Sequence, residues 1–267
     1  MKGKSIFFKI TVGFLTVFAT LGITSCKGNL ETNTHEVQSS FSNISIVTNT
    51  AEVVFQSTAE HCRVVCQEKR KVKHTVEVLD GVLTIKEVDT RAFFEKIFDT
   101  GKDKITVYLP DLEYGAISVT TDTGDVSLKD IISIGDIKIE ADTGDVEVEN
   151  CNAENVCVEM DTGKVELREI SCQNLNVEVD TGNISMIDVV AIGKFEIESD
   201  TGDVRFDRCD ANEVFITTDT GDVNGSFLSD KIIFAQTDTG KVDIPKLTSG
   251  GRCEIITDTG DIKITVD

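Results

Sequence analysis

Residues 137–151 read IKIEADTGDVEVENC, and close variants of this stretch fill the second half of the 267-residue chain. Its Asp-Thr-Gly tripeptide recurs eight times, in steps of 19 or 20 residues. The copies begin at Asp122, Asp142, Asp161, Asp180, Asp200, Asp219, Asp238 and Asp258. A period near 20 residues that is kept over eight copies predicts a solenoid, in which each repeat packs only on its neighbours.

Apolar residues occupy fixed positions relative to the Asp of each tripeptide, which we number zero. At positions −5, −3, +4, +6 and +9, 38 of the 40 residues are apolar, and the exceptions are Gly225 and Asp267. The residues between them are mostly polar, and the apolar ones are rich in Val and Ile, which indicates half-buried strands. Two strands leave no room for a helix in about 19 residues. The sequence therefore predicts an all-β chain in which residues 116–267 form a parallel β-solenoid (β-helix) of eight coils.

The Asp-Thr-Gly turns set carboxylates in two rows along the predicted solenoid. The first row is position zero, and the second is position +3, where Lys164, Asn183 and Lys241 interrupt the acidic residues. Gly suits a turn that needs positive φ, and the first-row Asp can accept backbone hydrogen bonds within its own turn. The alternative is that the rows bind cations such as Ca²⁺, which prefers oxygen ligands. The candidate cation-binding residues are Asp122, Asp125, Asp142, Asp145, Asp200, Asp203, Asp219 and Asp222.

The first 25 residues have the pattern of a secretory signal peptide. Lys2, Lys4 and Lys9 precede an apolar run over residues 10–23, which is too short to span a membrane comfortably. The run ends in Ile-Thr-Ser-Cys, which looks like the lipobox of bacterial lipoproteins, so that Cys26 would carry the lipid. An ordinary signal peptide or an uncleaved anchor is the alternative. We expect export to the bacterial cell envelope and a lipid (palmitate) anchor, with residues 26–40 as a tether.

Residues 41–115 keep a degenerate form of the repeat, since NTAE at residues 49–52 stands where Asp-Thr-Gly-Asp would. Strands are predicted at 63–67, 75–79, 82–86 and 104–109, with Asp80-Gly81 as a hairpin turn and 91–100 as a loop or short helix. We interpret 41–115 as the first coils together with an irregular cap on the N-terminal end of the solenoid.

The opposite end of the solenoid has no predicted cap. Phe215 and Phe234 fall in an outward column of neighbouring coils, and Ile256 is also outward. These three residues could form an exposed apolar patch that binds a partner or a second copy of the chain. The alternative is a local bulge that turns them inward.

The chain is strongly acidic, with a formal net charge of −21. Such a surface repels nucleic acid and anionic lipid, so the expected membrane contact is the lipid anchor alone. Eight cysteines permit disulfides, and Cys151 with Cys172 in the adjacent coil is a weak candidate pair. His35, His61 and His74 are scattered outside the repeats, so we expect no metal site and no cofactor. The uniform Asp rows, without a nucleophile–base pair at a usable spacing, argue against an enzyme.

The repeat core I-x-V-x-x-D-T-G-D-V-x-L, with ITVYLP at residues 105–110, resembles the bacterial "putative adhesin" family of exported β-solenoid domains. The resemblance covers residues 41–267 and transfers no catalytic residue. It implies a non-catalytic adhesion or interaction scaffold for an envelope or surface protein or a glycan. The lipobox would make this chain a cell-surface lipoprotein, which departs from family members tethered by a transmembrane helix. The alternative is an envelope structural or stress-response component that self-associates through its C-terminal end.

Overall fold

The computed structural model describes residues 30–92 and 103–267, which form β-strands and contain no helix. The strands of the N-terminal part are β1 (Leu30–Glu36), β2 (Asn43–Thr48), β3 (Ala51–Thr58), β4 (Arg63–Lys69), β5 (Val72–Leu79), β6 (Val82–Asp89), β7 (Asp103–Pro110) and β8 (Glu113–Tyr114). The middle strands are β9 (Ile117–Thr123), β10 (Val126–Ser133), β11 (Ile137–Thr143), β12 (Val146–Thr162), β13 (Val165–Thr181), β14 (Ile184–Ala191) and β15 (Lys194–Thr201). The last strands are β16 (Val204–Cys209), β17 (Glu213–Thr220), β18 (Val223–Phe227), β19 (Lys231–Thr239), β20 (Val242–Asp243), β21 (Gly251–Thr259) and β22 (Ile262–Val266).

The repeats form a parallel β-solenoid, as predicted. Each coil has three faces. The chain turns at Asp-Thr-Gly and again at position +8, where Asn150 has φ 50, and the third face leads to the next coil. Equivalent residues of successive coils pair in register on all three faces, for example Ile137 with Val156 and Val146 with Val165. The apolar columns line the interior and form one continuous core.

One core column was not predicted from the sequence. Position −1, directly before each Asp, also points inward and holds residues as different as Thr121, Met160 and Val179. Its mixed polarity hides it from a search for apolar positions. Gly225, an exception in the predicted columns, is explained by its neighbour, since a Cβ on Gly225 would overlap the ring of Phe206. The large side chain of one coil therefore fills the space that the next coil leaves.

The glycine of the tripeptide is required by the distance between coils as well as by its φ. Gly182 has φ +153, and a Cβ there would lie 2.7 Å from the carbonyl carbon of Gly163 and closer still to its oxygen. Backbone hydrogen bonds join the turns, since the N–H of Gly182 donates to the carbonyl of Thr201 at 2.8 Å. A side chain at this position would force neighbouring coils apart.

The predicted N-terminal strands lie within β4, β5, β6 and β7, and the Asp80-Gly81 hairpin joins β5 to antiparallel β6. In the cap, β4 pairs antiparallel with both β1 and β7, whereas β2 and β3 continue the parallel coils. Residues 30–36, expected to be part of a free tether, instead form β1, because their backbone pairs with the edge of β4. The loop or short helix predicted at 91–100 lies mostly outside the described residues, as does the segment 1–29.

The C-terminal coils do not stack in chain order. The last coil, β21 and β22, lies between β17 and β19 on one face and between β18 and β20 on another. The end of the stack is therefore β19, and β21 has a neighbour on each side. Residues 244–250 carry the chain back past the outermost strand, and the inserted strand β21 begins at Gly251. The sequence predicted that the coil of Asp258 would be outermost, which is wrong, because repeat spacing carries no information on stacking order.

Two predicted core residues near this end are exposed. Leu228 is 47% exposed, and Phe227 fills the core in its place, because the pairing of β16 with β18 shifts by one residue between Phe206 and Cys209. Val242 is 43% exposed, since β20 belongs to the outermost coil and has β22 on one side only.

Candidate functional site

The second row of acidic side chains ties successive coils together at the Asp-Thr-Gly corner. The backbone N–H of Asp145 donates to Oδ1 of Asp125 at 3.1 Å, and the N–H of Lys164 donates to Oδ1 of Asp145 at 3.0 Å. Asn183 does the same for the N–H of Asp203 at 2.9 Å. Asp203 and Asp222 continue the series, and the N–H of Asp261 donates to Asp222 because β21 is inserted there. These carboxylates satisfy corner N–H groups, which accounts for Asp or Asn at position +3.

The first row is free of such bonds. Among the described residues, the hydrogen bonds at the corner go to position +3, so the Asx-turn predicted for position zero is wrong. The first-row candidates are Asp122, Asp142, Asp200 and Asp219, and all four are exposed. Burial, with the charges of Asp142 and Glu87, raises the pKa of Asp122 above its usual range.

The exposed first row borders a second line of carboxylates at position −2. Glu140, Glu159 and Glu178 line a shallow depression together with Asp142 and Asp161. Lys138 lies at 2.6 Å from Glu140 and at 3.4 Å from Glu159, and its hydrogen bond lowers the pKa of Glu140. Carboxylates therefore line the corner and recur at the spacing of the coils.

The predicted apolar patch is interrupted. Glu254 of the inserted β21 lies between Phe215 and Phe234, and Arg252 stacks over the Phe215 ring at 5.0 Å from its centroid. Ile256 is outward but half-buried, and only Phe234, 55% exposed, is open to solvent. The expected neighbour contact is wrong because β17 and β19 are not adjacent. Phe234 shares the outer face of β19 with Ile232, which is 52% exposed.

The cysteines offer no activated thiol in the described part of the chain. All seven described cysteines are free, including the candidate pair Cys151 and Cys172. Cys151 pairs in register with Ile170, whereas Cys172 pairs with Ala153 on another position of the face. Burial raises the pKa of Cys172 to about 12 and that of Cys151 to about 11, so these thiols stay protonated. Cys26, the predicted lipidation site, lies outside the described residues.

A buried polar cluster in the cap was missed by the sequence analysis. Cys66, Glu68 and His74 are buried, and one ligand atom from each lies within 4.8 Å of the others. Burial lowers the pKa of nearby His35, on which the charges of Glu68 and His74 also act, but His35 is not one of the three residues whose ligand atoms lie together. The prediction that the histidines are scattered is wrong for His35 and His74, because β1, β4 and β5 meet at the end of the stack. The signal available in the sequence was polar residues at inward positions of strands.

Comparisons with known proteins agree with this fold. The family model described as Toastrack DUF4097 matches residues 41–265. A crystal structure of a "putative adhesin" from Bacteroides fragilis has a TM-score of 0.57 at 16% identity, over 92% of this chain and 100% of that chain. A "putative cell adhesion protein" from Clostridium sporogenes has a TM-score of 0.31 at 11% identity, over 89% of this chain and 100% of that chain. A "putative adhesin" from Parabacteroides merdae has a TM-score of 0.28 at 11% identity, over 90% and 97%. No curated protein matches the chain.

Proposed function

The chain belongs to the Toastrack DUF4097 family, and from this premise we propose that it is a cell-surface lipoprotein acting as a non-catalytic adhesion or interaction scaffold. The observation that carries the proposal is the exposed first row of carboxylates, which accept no hydrogen bond among the described residues and recur in every coil. The second row is used to hold coils together, whereas the first row is free to meet a partner. The structural relatives described as adhesins support the same role.

A row repeated at the coil spacing of about 4.8 Å suits multivalent binding. Each contact between exposed charges is worth about 1 kcal/mol or less, but several contacts on one rigid edge add up. The sign of the charge favours a partner with basic groups, on an envelope or surface protein or on a glycan that carries them. Such binding weakens as salt rises, because exposed charges are screened over about 10 Å at 0.1 M salt.

The test compares beads coated with the purified protein for adhesion to intact cells, immobilised mucin and immobilised fibronectin. The row variant replaces Asp142, Asp161 and Asp180 by Asn, which removes three neighbouring first-row charges and leaves the position +3 bonds intact. We expect adhesion of the row variant to fall several-fold, and adhesion of the unaltered protein to fall on raising salt to 0.5 M.

The matched control, the face variant, replaces Glu147, Glu149 and Glu166 by Gln. These three residues lie at positions +5 and +7, on the strands that follow the Asp-Thr-Gly turn. They are also partly exposed, at 37%, 38% and 42%. The face variant changes net charge by the same amount, so it should keep adhesion. Equal adhesion of all three proteins would overturn the proposed role of the row.

Anchoring by a lipid at Cys26 is part of the proposal and rests on the signal-like first 25 residues and the Ile-Thr-Ser-Cys sequence. The described residues include no helix that is long and apolar enough to span a membrane. Metabolic labelling with a palmitate analogue should tag the protein, and Cys26→Ser should abolish the label and release the protein from the membrane fraction. Labelling that survives Cys26→Ser would refute this assignment.

A second candidate function is a self-associating envelope component, and β19 is the observation that favours it. Among the described strands β19 pairs only with β21, so its outer edge offers free backbone groups. Ile232 and Phe234 add exposed apolar surface to that edge.

Light scattering over a range of protein concentrations tests this candidate. If β19 mediates association, Ile232→Lys with Phe234→Lys should leave a monomer at all concentrations. Phe215→Ser, which is outward but away from the edge, is the control and should associate like the unaltered protein. A concentration-independent monomer would remove this candidate and leave adhesion.

A further inference from the structure

The cap of the solenoid encloses a cluster of ionisable side chains between two sheets. From one sheet, Glu68 of β4 and Asp103 of β7 point inward, and from the other, His74 of β5 and Glu87 of β6 do so. Glu68 is 2% exposed and Asp103 is 0% exposed. Three carboxylates at this depth carry a large cost in desolvation unless a positive charge accompanies them.

The positive groups near the cluster lie at its rim. The ammonium of Lys69 lies 3.9 Å from Asp103, and that of Lys73 lies 3.4 Å from Glu68 and 2.6 Å from Glu31. Neither ammonium is inside the cluster itself. The interior thus holds carboxylates, a thiol and imidazoles, which is the donor set of a metal site rather than of an ion pair.

Several buried polar atoms of the cluster have no hydrogen-bond partner. They are both carboxylate oxygens of Asp103, Oε1 of Glu87 and Nε2 of His35. Buried polar atoms are hydrogen-bonded in the great majority of cases, so each exception needs an explanation. Asp103 has the ammonium of Lys69 at 3.9 Å, so the groups that still lack a partner beside the cluster are Oε1 of Glu87 and Nε2 of His35.

The ligand atoms are already oriented. Glu68 is held through Oε1 by Asn33 at 2.6 Å, and its Oε2 lies 2.9 Å from Nδ1 of His74. On the far side of the ring, Nε2 of His74 lies 3.4 Å from Oγ1 of Thr48 and 3.9 Å from Oε2 of Glu87. A carboxylate behind a ligating imidazole is the usual support of a metal-bound histidine.

We propose that Cys66, Glu68 and His74 bind one divalent transition-metal ion, with Zn²⁺ as the best match. The thiolate, imidazole and carboxylate donors are those that zinc prefers, and three protein ligands leave the fourth position of its tetrahedral shell to a water molecule. In the absence of metal, Nδ1 of His74 and Oε2 of Glu68 are hydrogen-bonded at 2.9 Å; the ion would replace that hydrogen bond and displace the proton of the Cys66 thiol to solvent. Thr48 lies between the imidazole of His74 and Glu87, with its hydroxyl 3.4 Å from Nε2 of His74 and donating to Oε2 of Glu87 at 2.9 Å, and Asp103 adds negative charge beside the site.

The metal would fasten the end of the solenoid. Its ligands come from β4 and β5, and β5 has a single partner strand, β6, in the described part of the chain. An ion shared by these strands links two sheets at the point where the stack begins. This role is independent of adhesion and needs no second molecule.

The experiment uses the purified protein, stripped with EDTA in denaturant and refolded with Zn²⁺ alone or Co²⁺ alone. Elemental mass spectrometry should find one zinc per chain. Co²⁺ should give tetrahedral visible absorption together with the near-ultraviolet band of a thiolate ligand. We expect His74→Gln to lower zinc affinity on the order of 100-fold, and Cys66→Ser to remove the thiolate band.

The matched controls are Cys62→Ser and His61→Gln. Cys62 is also buried, and burial raises the pKa of its thiol to about 12, like that of Cys66. His61 is exposed and outside the cluster. Both controls should bind zinc as the unaltered protein does.

Two results would overturn the proposal. One is a zinc content near zero in unaltered protein refolded with zinc, which would mean that hydrogen bonding alone satisfies the cluster. The other is unchanged zinc binding in both Cys66→Ser and His74→Gln, which would place the metal elsewhere. If either variant does not fold, the stoichiometry and the cobalt spectrum of the unaltered protein decide alone.

Discussion

The close approach of coils at the Asp-Thr-Gly turns predicts a large cost for one methyl group. In Gly182→Ala, the new Cβ would lie 2.7 Å from the carbonyl carbon of Gly163, where about 3.4 Å is the ordinary contact limit. The two coils must separate, which weakens the hydrogen bonds between them, from Gly163 N–H to Thr181 at 3.0 Å and from Val165 N–H to Asn183 at 3.1 Å. Two bonds at about 1 kcal/mol each and about 1–2 kcal/mol for positive φ give a loss of about 3–4 kcal/mol.

The matched control is Gly81→Ala in the β5–β6 hairpin. Gly81 also has positive φ, +79, but a Cβ there would meet no atom within 4 Å. Its cost is about 1 kcal/mol, because the strain at positive φ is partly offset by lower entropy of the unfolded chain. Urea unfolding followed by circular dichroism measures both free energies. If Gly182→Ala and Gly81→Ala lose the same stability, the reasoning from coil spacing is wrong.

Three further predictions concern the two rows and the thiols. Asp145→Ala should lower the free energy of unfolding by about 1 kcal/mol, because it removes the acceptor for Lys164 N–H. Asp145→Asn should cost less, because Asn183 fills the same role in its own coil. Equal losses in the two variants would contradict this. If the rows held Ca²⁺ with a Kd of about 0.1 mM, 10 mM Ca²⁺ would add about 2.7 kcal/mol to the free energy of unfolding. Because the second row already accepts hydrogen bonds from backbone N–H groups, we expect instead that neither Ca²⁺ nor a chelator changes the Tm. Native Cys172 and Cys253, whose thiols have their pKa raised to about 12 by burial, should not react with Ellman's reagent at pH 8, and rapid native labelling would refute their burial.

The regular part of the fold could be predicted because its determinants are local. Val and Ile at alternating positions, repeated in eight copies, fix the faces of each strand and the parallel register between coils. The Gly of each turn was also predictable, although the stronger reason for it, the carbonyl of the neighbouring coil, becomes visible only when coils are stacked.

The order of the last coils could not be predicted, because it depends on contacts between distant residues. The repeat at Asp258 has the same spacing as the others, yet β21 lies between β17 and β19. The patch of Phe215 and Phe234 was wrong for the same reason. Local irregularity had a similar effect at Phe227, where a one-residue shift replaces Leu228 in the core.

The candidate sites show the same division. The two carboxylate rows were evident from the period, but only the structure assigns position +3 to coil contacts and leaves position zero exposed. The buried cluster combines His35, Cys66, Glu68 and His74 from three strands of the irregular cap. All three strands pair antiparallel, outside the parallel repeat from which the fold was predicted.

The most direct test of the proposed role is bead adhesion of the unaltered protein, the row variant and the face variant, measured together at the same surface density. The account predicts that the row variant loses adhesion while the face variant keeps it, with all three proteins unfolding at similar urea concentrations. Undiminished adhesion of the row variant, or an equal loss in the face variant, would contradict the claim that the exposed first row is the binding surface.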